Sequence, residues 1–257
     1  MVRSVYAKGA RVDIVFLVAV AGAYLAAGFV KGVIGMGLPA VAIGLLGLMV
    51  TPAQAAAILI VPSIATNVWQ GLSGSALREL LRRLWPMFLG MCIGTFIGTL
   101  TLPHGNGEQA TRWLGIVLAA YAALGLAKVH FSVPVGAQGW VGFLTGTAAG
   151  VIAVATGMFA IPTIFYINGL GFDRDRLVQA LGLSFSVATV ALGVALYHLG
   201  ELNVTVAWPA LMALAAALAG MQIGQRVRGW IAPETFRLWF FIGLLAIGAR
   251  LALRGLI

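Results

Sequence analysis

Charge is what this chain has least of. Of its 257 residues, 9% are Asp, Glu, Lys or Arg, where a soluble domain carries about 25%. The few acids avoid the apolar runs. All seven carboxylates (Asp13, Glu79, Glu108, Asp173, Asp175, Glu201, Glu234) fall at segment ends or in loops, as do His104, His130 and His198. Proton-driven carriers ordinarily keep an acid or histidine at membrane depth, and none is placed there. The single cysteine, Cys92, excludes an intrachain disulfide and lies in an apolar run, where it reads as a small packing residue. No nucleotide-binding glycine loop, metal-ligand spacing or nucleophile triad is present. The chain is therefore read as no enzyme and as needing no cofactor or metal. ATP-driven pumping would need another subunit.

What is there is apolar. Hydrophobic residues make up 61% of the chain and the mean hydropathy is +1.02. Runs of this kind specify an all-α polytopic membrane protein, here of eight to ten segments, with the lipid bilayer as its surroundings. The net charge of +9 does not indicate nucleic acid, because the bases cluster at the ends of apolar segments, as the positive-inside rule describes. The expected segments are Val12–Val33, Leu38–Val50, Ala53–Leu72, Trp85–Leu102, Arg112–Val129, Trp140–Ala155, Met158–Leu170, Leu177–Leu199, Val204–Ile223 and Phe236–Leu253. Arg78 to Arg83 reads as a basic amphipathic linker before the fourth, and Pro103–Gln109 as a polar loop. Thr51-Pro52-Ala53-Gln54 reads as a helix start, with Thr51 as N-cap and Pro52 at the first helical position. Residues 1–27 resemble a signal peptide, with Arg3, Lys8 and Arg11 before an apolar run. They are read as a retained first span, because the glycine motif that follows needs those apolar turns.

That motif is Gly28-Phe29-Val30-Lys31-Gly32-Val33-Ile34-Gly35-Met36-Gly37-Leu38-Pro39. Glycine opens unusual backbone angles, and Pro39 removes a donor, so the stretch reads as a helix that breaks inside the membrane. It has an echo. Gly142-Phe143-Leu144-Thr145-Gly146 repeats Gly28 to Gly32, and Gly157-Met158-Phe159-Ala160-Ile161-Pro162 repeats Gly35 to Pro39. Trp85-Pro86 recurs as Trp208-Pro209 at the same spacing as Pro39 and Pro162. Ile97-Gly98, Glu108 and Trp113 recur as Ile223-Gly224, Glu234 and Trp239 at a spacing three residues longer. A series of matches in order indicates internal duplication, with a first repeat over 1–129 and a second over 130–257. The short segments Leu38–Val50 and Met158–Leu170 follow the two breaks. Thirteen residues of helix reach about 20 Å, short of the ~30 Å hydrocarbon core, and paired short segments of this kind point to a transporter binding site. If all five segments of each copy cross, the copies are inverted; if the short ones are re-entrant, the copies are parallel. The basic clusters lean toward inversion.

Candidate ligands follow from the same alignment. Ser63-Ile64-Ala65-Thr66 matches Ser186-Val187-Ala188-Thr189, and in each copy the Ser and Thr share a helix face. Asn67 and Gln70 continue the first face, and Ser184 adds a hydroxyl to the second. Hydroxyls and amides can donate to an oxyanion without adding fixed charge. Against this, such groups often serve only interhelical or back-bonding to the helix. Lys31 is the one cation well inside an apolar stretch. It is either a functional intramembrane charge or a lysine snorkelling to the surface. An anion leaving a negative-inside cell gains about 2.3 kcal/mol per charge per 100 mV, so export of an anion needs no coupling ion.

The first glycine motif resembles the signature of the sulfite exporter TauE/SafE family of permeases, and Thr156 to Pro162 resembles that family's second motif, with Phe159 and Ala160 where family members carry glycines. The resemblance covers the whole chain. It implies transport of a small anionic substrate, sulfite or an organosulfonate or other sulfur oxyanion. The expected binding residues are Lys31, Gly35, Gly37, Pro39, Ser63, Thr66, Asn67, Gln70, Thr156, Pro162, Ser184, Ser186 and Thr189, working by alternating access at the repeat interface in a bacterial inner membrane. A passive anion channel and a membrane scaffold subunit are the alternatives, and a homodimer is compatible with the sequence.

Overall fold

The computed structural model describes residues 14–102, 107–127, 132–202, 206–230 and 232–254. The leader bases Arg3, Lys8 and Arg11, together with Asp13, His104 and His130, lie outside the described residues. The described residues form ten α-helices and no strand. They are α1 (Ile14–Ile34), α2 (Leu38–Leu46), α3 (Pro52–Leu72), α4 (Leu77–Thr101), α5 (Gly107–Leu126), α6 (Gln138–Thr156), α7 (Ala160–Gly169), α8 (Arg174–His198), α9 (Ala207–Val227) and α10 (Pro233–Ala252). Seven are long and apolar enough to cross a membrane: α1, α3, α4, α6 with the short 3-10 turn before it, α8, α9 and α10. The multi-pass helical membrane class is thus as expected. Several boundaries differ. The two short segments are shorter than expected, with α2 of 9 and α7 of 10 residues, and Gly107–Gln109 of the expected polar loop opens α5. The basic stretch Arg78 to Arg83 is no separate linker but the first turns of α4, which runs unbroken through Pro86. It bears leucines at i and i+4, Leu80 and Leu84, and both are fully buried, so the apolar stripe carries the helix straight through the charges.

Helix starts follow local chemistry. At α3, Thr51 Oγ1 accepts from Gln54 N (3.3 Å) and Gln54 Oε1 accepts from Thr51 N (3.3 Å), a full capping box with Pro52 behind it. Asp173 caps α8 by accepting from Arg176 N at 3.0 Å. The break between α1 and α2 contains Gly35 and Gly37, with φ of 83° and 98°. Side chains other than glycine rarely adopt these angles.

The helices pair through small residues. On α1, a Cβ at Gly28 would overlap the Ala217 carbonyl, and one at Gly32 would overlap that of Met221. Gly220 and Gly224 of α9 face back onto Leu25 and Phe29 in the same way. Contact positions rise together along both helices, so α1 and α9 run parallel. Gly90 and Gly94 of α4 meet Phe143 and Thr147 of α6, and Gly146 and Gly150 meet Met87 and Met91, again in parallel. Two other pairs are antiparallel. Ser63 meets Thr189 while Gly71 meets Leu183, which crosses α3 with α8. Gly115 meets Ala252 while Gly125 meets Phe241, which crosses α5 with α10. Without a hydrophobic drive between helices in lipid, such backbone-to-backbone approach is the main source of association.

These seams predict which glycines are intolerant. Gly94→Val forces a side chain into the α6 backbone and is expected to destabilise the protein by about 1–3 kcal/mol. Gly22→Ala, where nothing lies within 4 Å of the added carbon, should leave the melting temperature in detergent unchanged. Equal effects of the two substitutions would refute the seam.

Candidate functional site

Lys31 leaves α1 toward α3 and is buried, with 6% of its surface exposed. Of the two readings open from sequence, the ammonium therefore does not snorkel. It donates to Thr66 Oγ1 (3.0 Å) and to Asn67 Oδ1. From there a chain of donors runs one way. Asn67 Nδ2 donates to Ser63 Oγ (2.9 Å), and Ser63 lies 3.0 Å from Thr189 Oγ1 on α8. Thr189 directs its own proton to the Phe185 carbonyl (2.6 Å), which leaves Ser63 as donor to Thr189. Thr66 likewise donates back to the Pro62 carbonyl (2.8 Å). The hydroxyl protons are thus committed, while an ammonium has three to give and Lys31 places two among the described residues. Ser63, Thr66, Asn67 and Thr189 are all fully or almost fully buried.

No carboxylate approaches this charge among the described residues. The ion pairs present are Arg112–Glu108, Arg176–Glu79 and Arg176–Asp173, all partly exposed. A buried ammonium held only by neutral oxygens, with no anion beside it, keeps most of its desolvation penalty. A single negative charge placed about 4 Å away would gain about 4 kcal/mol at an effective dielectric near 20, which a neutral solute cannot match.

The expected residues do not all converge. Gln70 sits one turn beyond Thr66, but its Nε2 donates to the carbonyls of Val178 (2.8 Å) and Gly35 (3.3 Å), tying the α1–α2 break to α8. Gly35, Gly37 and Pro39 form that break, with Pro39 in the first turn of α2. Ser184 and Ser186 donate to their own helix, at the carbonyls of Ala180 and Gly182 (2.7 Å each). Ser186 also lines an apolar groove of about 840 Å³ between α4 and α8, with Cys92, Thr95 and His198. So the two aligned motifs meet through one contact, Ser63 with Thr189 (3.0 Å), while Ser186 bonds its own helix. Thr66 instead accepts from Lys31, whose repeat mate Thr145 borders a separate pocket with Pro162. Thr156 caps the second break, accepting from Met158 N (3.1 Å). There a Cβ on Gly157 would lie 2.9 Å from Ala56 Cβ.

Gln179 was not anticipated. Its Nε2 donates to the carbonyls of Gly71 and Gly74 (2.9 Å each) and its Oε1 accepts from Ala76 N (3.1 Å). It satisfies the open end of α3 and the start of α4 at once. A polar residue in an apolar stretch of α8 was the available signal. Arg83 does similar work, donating to Gln138 Oε1 (2.9 Å) and the Leu170 carbonyl (3.2 Å) with its guanidinium 4.6 Å from the Phe172 ring centre.

The Lys31–Asn67 contact predicts strong coupling. Asn67→Leu is expected to lower stability by about 1.5–3 kcal/mol, the range for hydrogen bonds to charged groups. In a Lys31→Met background the loss should shrink by more than half, measured as a double-mutant cycle in detergent unfolding. Additive losses would mean the contact carries no energy.

Among protein families, the model of the sulfite exporter TauE/SafE family matches residues 20–251, nearly the whole chain. No curated protein and no solved structure matches it.

Proposed function

Because this chain belongs to the sulfite exporter TauE/SafE family, a family of membrane transporters of sulfur anions and not of enzymes, we propose that it exports sulfite or a small organosulfonate, with Lys31 as the charge that selects for an anion. The buried, acid-free ammonium carries this reading. Thr66, Ser63, Asn67 and Thr189 supply the surrounding polar groups. Thr66 and Thr189 are bonded to carbonyls of their own helices, so rotation about χ1 can turn either hydroxyl toward an oxyanion. The start of α2 at Gly37 adds the positive end of a helix dipole on the same side. Gln70, Ser184 and Ser186 are engaged elsewhere and stand outside this set; Thr156 and Pro162 belong to the second break.

We read the two halves as inverted repeats rocking around this point. Support comes from helix direction. Equivalent helices α3 and α8 are antiparallel where they cross, and so are α5 and α10. A twofold axis relating such pairs lies in the membrane plane. Within the first half, Lys31 faces Thr66 and Gly35 faces Gln70, so α1 and α3 point the same way and α2 returns between them. The first break stands near Gln70 and Val178, toward one end of the α3–α8 pair. The second stands near Ala56 and Pro52, toward the other.

Direction in the membrane follows from arginine. One end carries Arg78, Arg82 and Arg83 of α4, Arg174 and Arg176 of α8, Arg226 and Arg228 at the close of α9, and Arg237 of α10. The other end, among the described residues, carries Arg112, Arg250 and Arg254. The positive-inside rule places the first end in the cytoplasm, which sets α1's start and α10's end outside an inner membrane.

Two measurements test this. In thermal-shift titration against sulfite, thiosulfate, sulfoacetate, sulfate, phosphate and chloride, a sulfur anion at 100 times its Kd should stabilise the protein by about 2.7 kcal/mol, and Lys31→Met should abolish the effect. No shift with any sulfur anion, or one that survives in Lys31→Met, defeats the assignment. For orientation, alkaline phosphatase fused after residue 257 should be active and a green fluorescent protein there dark; the reverse pattern overturns the assigned direction.

A further inference from the structure

Tyr24 lies seven residues before Lys31 on α1 and therefore on the same face of the helix. Its side chain is fully buried. Its hydroxyl has no hydrogen-bond partner among the described residues. That is unusual, because a buried tyrosine hydroxyl ordinarily finds one. Tyr166 shows the normal case, donating to the Gln138 carbonyl at 2.7 Å. If packing alone were required at position 24, phenylalanine would fill the same space and leave no orphan. The hydroxyl thus costs stability in the state described and calls for a partner that the described residues do not supply.

Its position says which partner. The Ser63–Thr189 contact falls near the middle of α3. Lys31 engages α3 just beyond that level, at Thr66 and Asn67, and Gly35 engages it one turn further, at Gln70. Tyr24 stands two turns back from Lys31, and a helical side chain leans toward its own N-terminus. The hydroxyl therefore lies on the far side of Ser63–Thr189 from the break, toward the arginine-poor end. Seven residues of helix rise about 10 Å, which separates Tyr24 from Lys31 as successive positions and not as one site.

Resting on the anion-export reading above, we infer that Tyr24 is a second binding station for the same sulfur oxyanion, on the exit side. Its phenolic O–H donates to a substrate oxygen once the anion has left the ammonium. A neutral donor suits that place. Passage needs sites that bind strongly enough to receive an ion and weakly enough to release it. Lys31 meets the first need, and an uncharged hydroxyl meets the second.

The test compares wild type, Tyr24→Phe and Lys31→Met, each purified for melting and sulfite binding and each reconstituted for sulfite efflux from proteoliposomes. Tyr24→Phe should melt at or above the wild-type temperature, bind sulfite within twofold of wild type, and transport it about tenfold more slowly. Efflux at the wild-type rate overturns the inference: with a raised melting temperature the orphan hydroxyl is only imperfect packing, and with a lowered one it is engaged by the fold or a structural water. A slowed Tyr24→Phe that also melts well below wild type overturns it too, since the hydroxyl would then have a partner in the protein. If Lys31→Met binds and exports sulfite normally, the anion reading itself fails; if only Tyr24→Phe is silent, that reading stands and this station does not.

Discussion

Two helix backbones can touch only where a glycine on one leaves room for the other, and this protein depends on that contact. Gly28 and Gly32 seat α1 against α9, and Gly90 and Gly94 seat α4 against α6. In each case the first helix of one half lies on the fourth helix of the other. The halves are therefore interlocked and not merely adjacent. The contact also fixes the rotation of α1. Tyr24 and Lys31 flank Gly28 at i−4 and i+3 beside that seam, and from there Lys31 reaches Thr66 and Asn67 of α3. A helix packed through larger side chains would stand further off, and the lysine would not reach Thr66 and Asn67.

The second constraint is the charge so buried. Neutral oxygens orient the Lys31 ammonium but do not cancel it, and burial strips it of water. The surroundings make the imbalance persistent, because the described carboxylates sit at helix ends, where Glu79, Glu108 and Asp173 pair with arginines. An acid beside Lys31 would stabilise the resting protein and remove the attraction for an external anion. Stability and proposed function oppose each other at this point, as they do at the unpaired Tyr24 hydroxyl.

Hydrogen bonding differs between the two ends. At the arginine-rich end, Gln70 and Gln179 bind backbone carbonyls across α1, α3 and α8, and Arg83 joins α4 to the α7–α8 turn. At the equivalent place in the other half the aligned residues are Gly193 and Ala56, which offer no side-chain donor. The other end is tied instead through arginine, with Arg112 donating to the Arg254 carbonyl (3.0 Å) and Arg254 to the Gly47 carbonyl (3.1 Å).

Much of this was legible in the chain itself, and for local reasons. Apolar run length sets membrane helices, because the bilayer satisfies no backbone group. Gly35, Gly37 and Pro39 specify a break through their own dihedral limits. Thr51 and Gln54 make a cap four residues wide. The aligned serine–threonine pairs and Lys31 could be singled out from residue type and spacing. What only the tertiary structure decided is which of these meet. Ser63 finds Thr189 while Ser186 turns to a groove facing α4, and Lys31 turns inward and not to the surface. Those outcomes depend on helix rotation and on antiparallel crossing, which arise from contacts between residues far apart in the chain; no local preference encodes them.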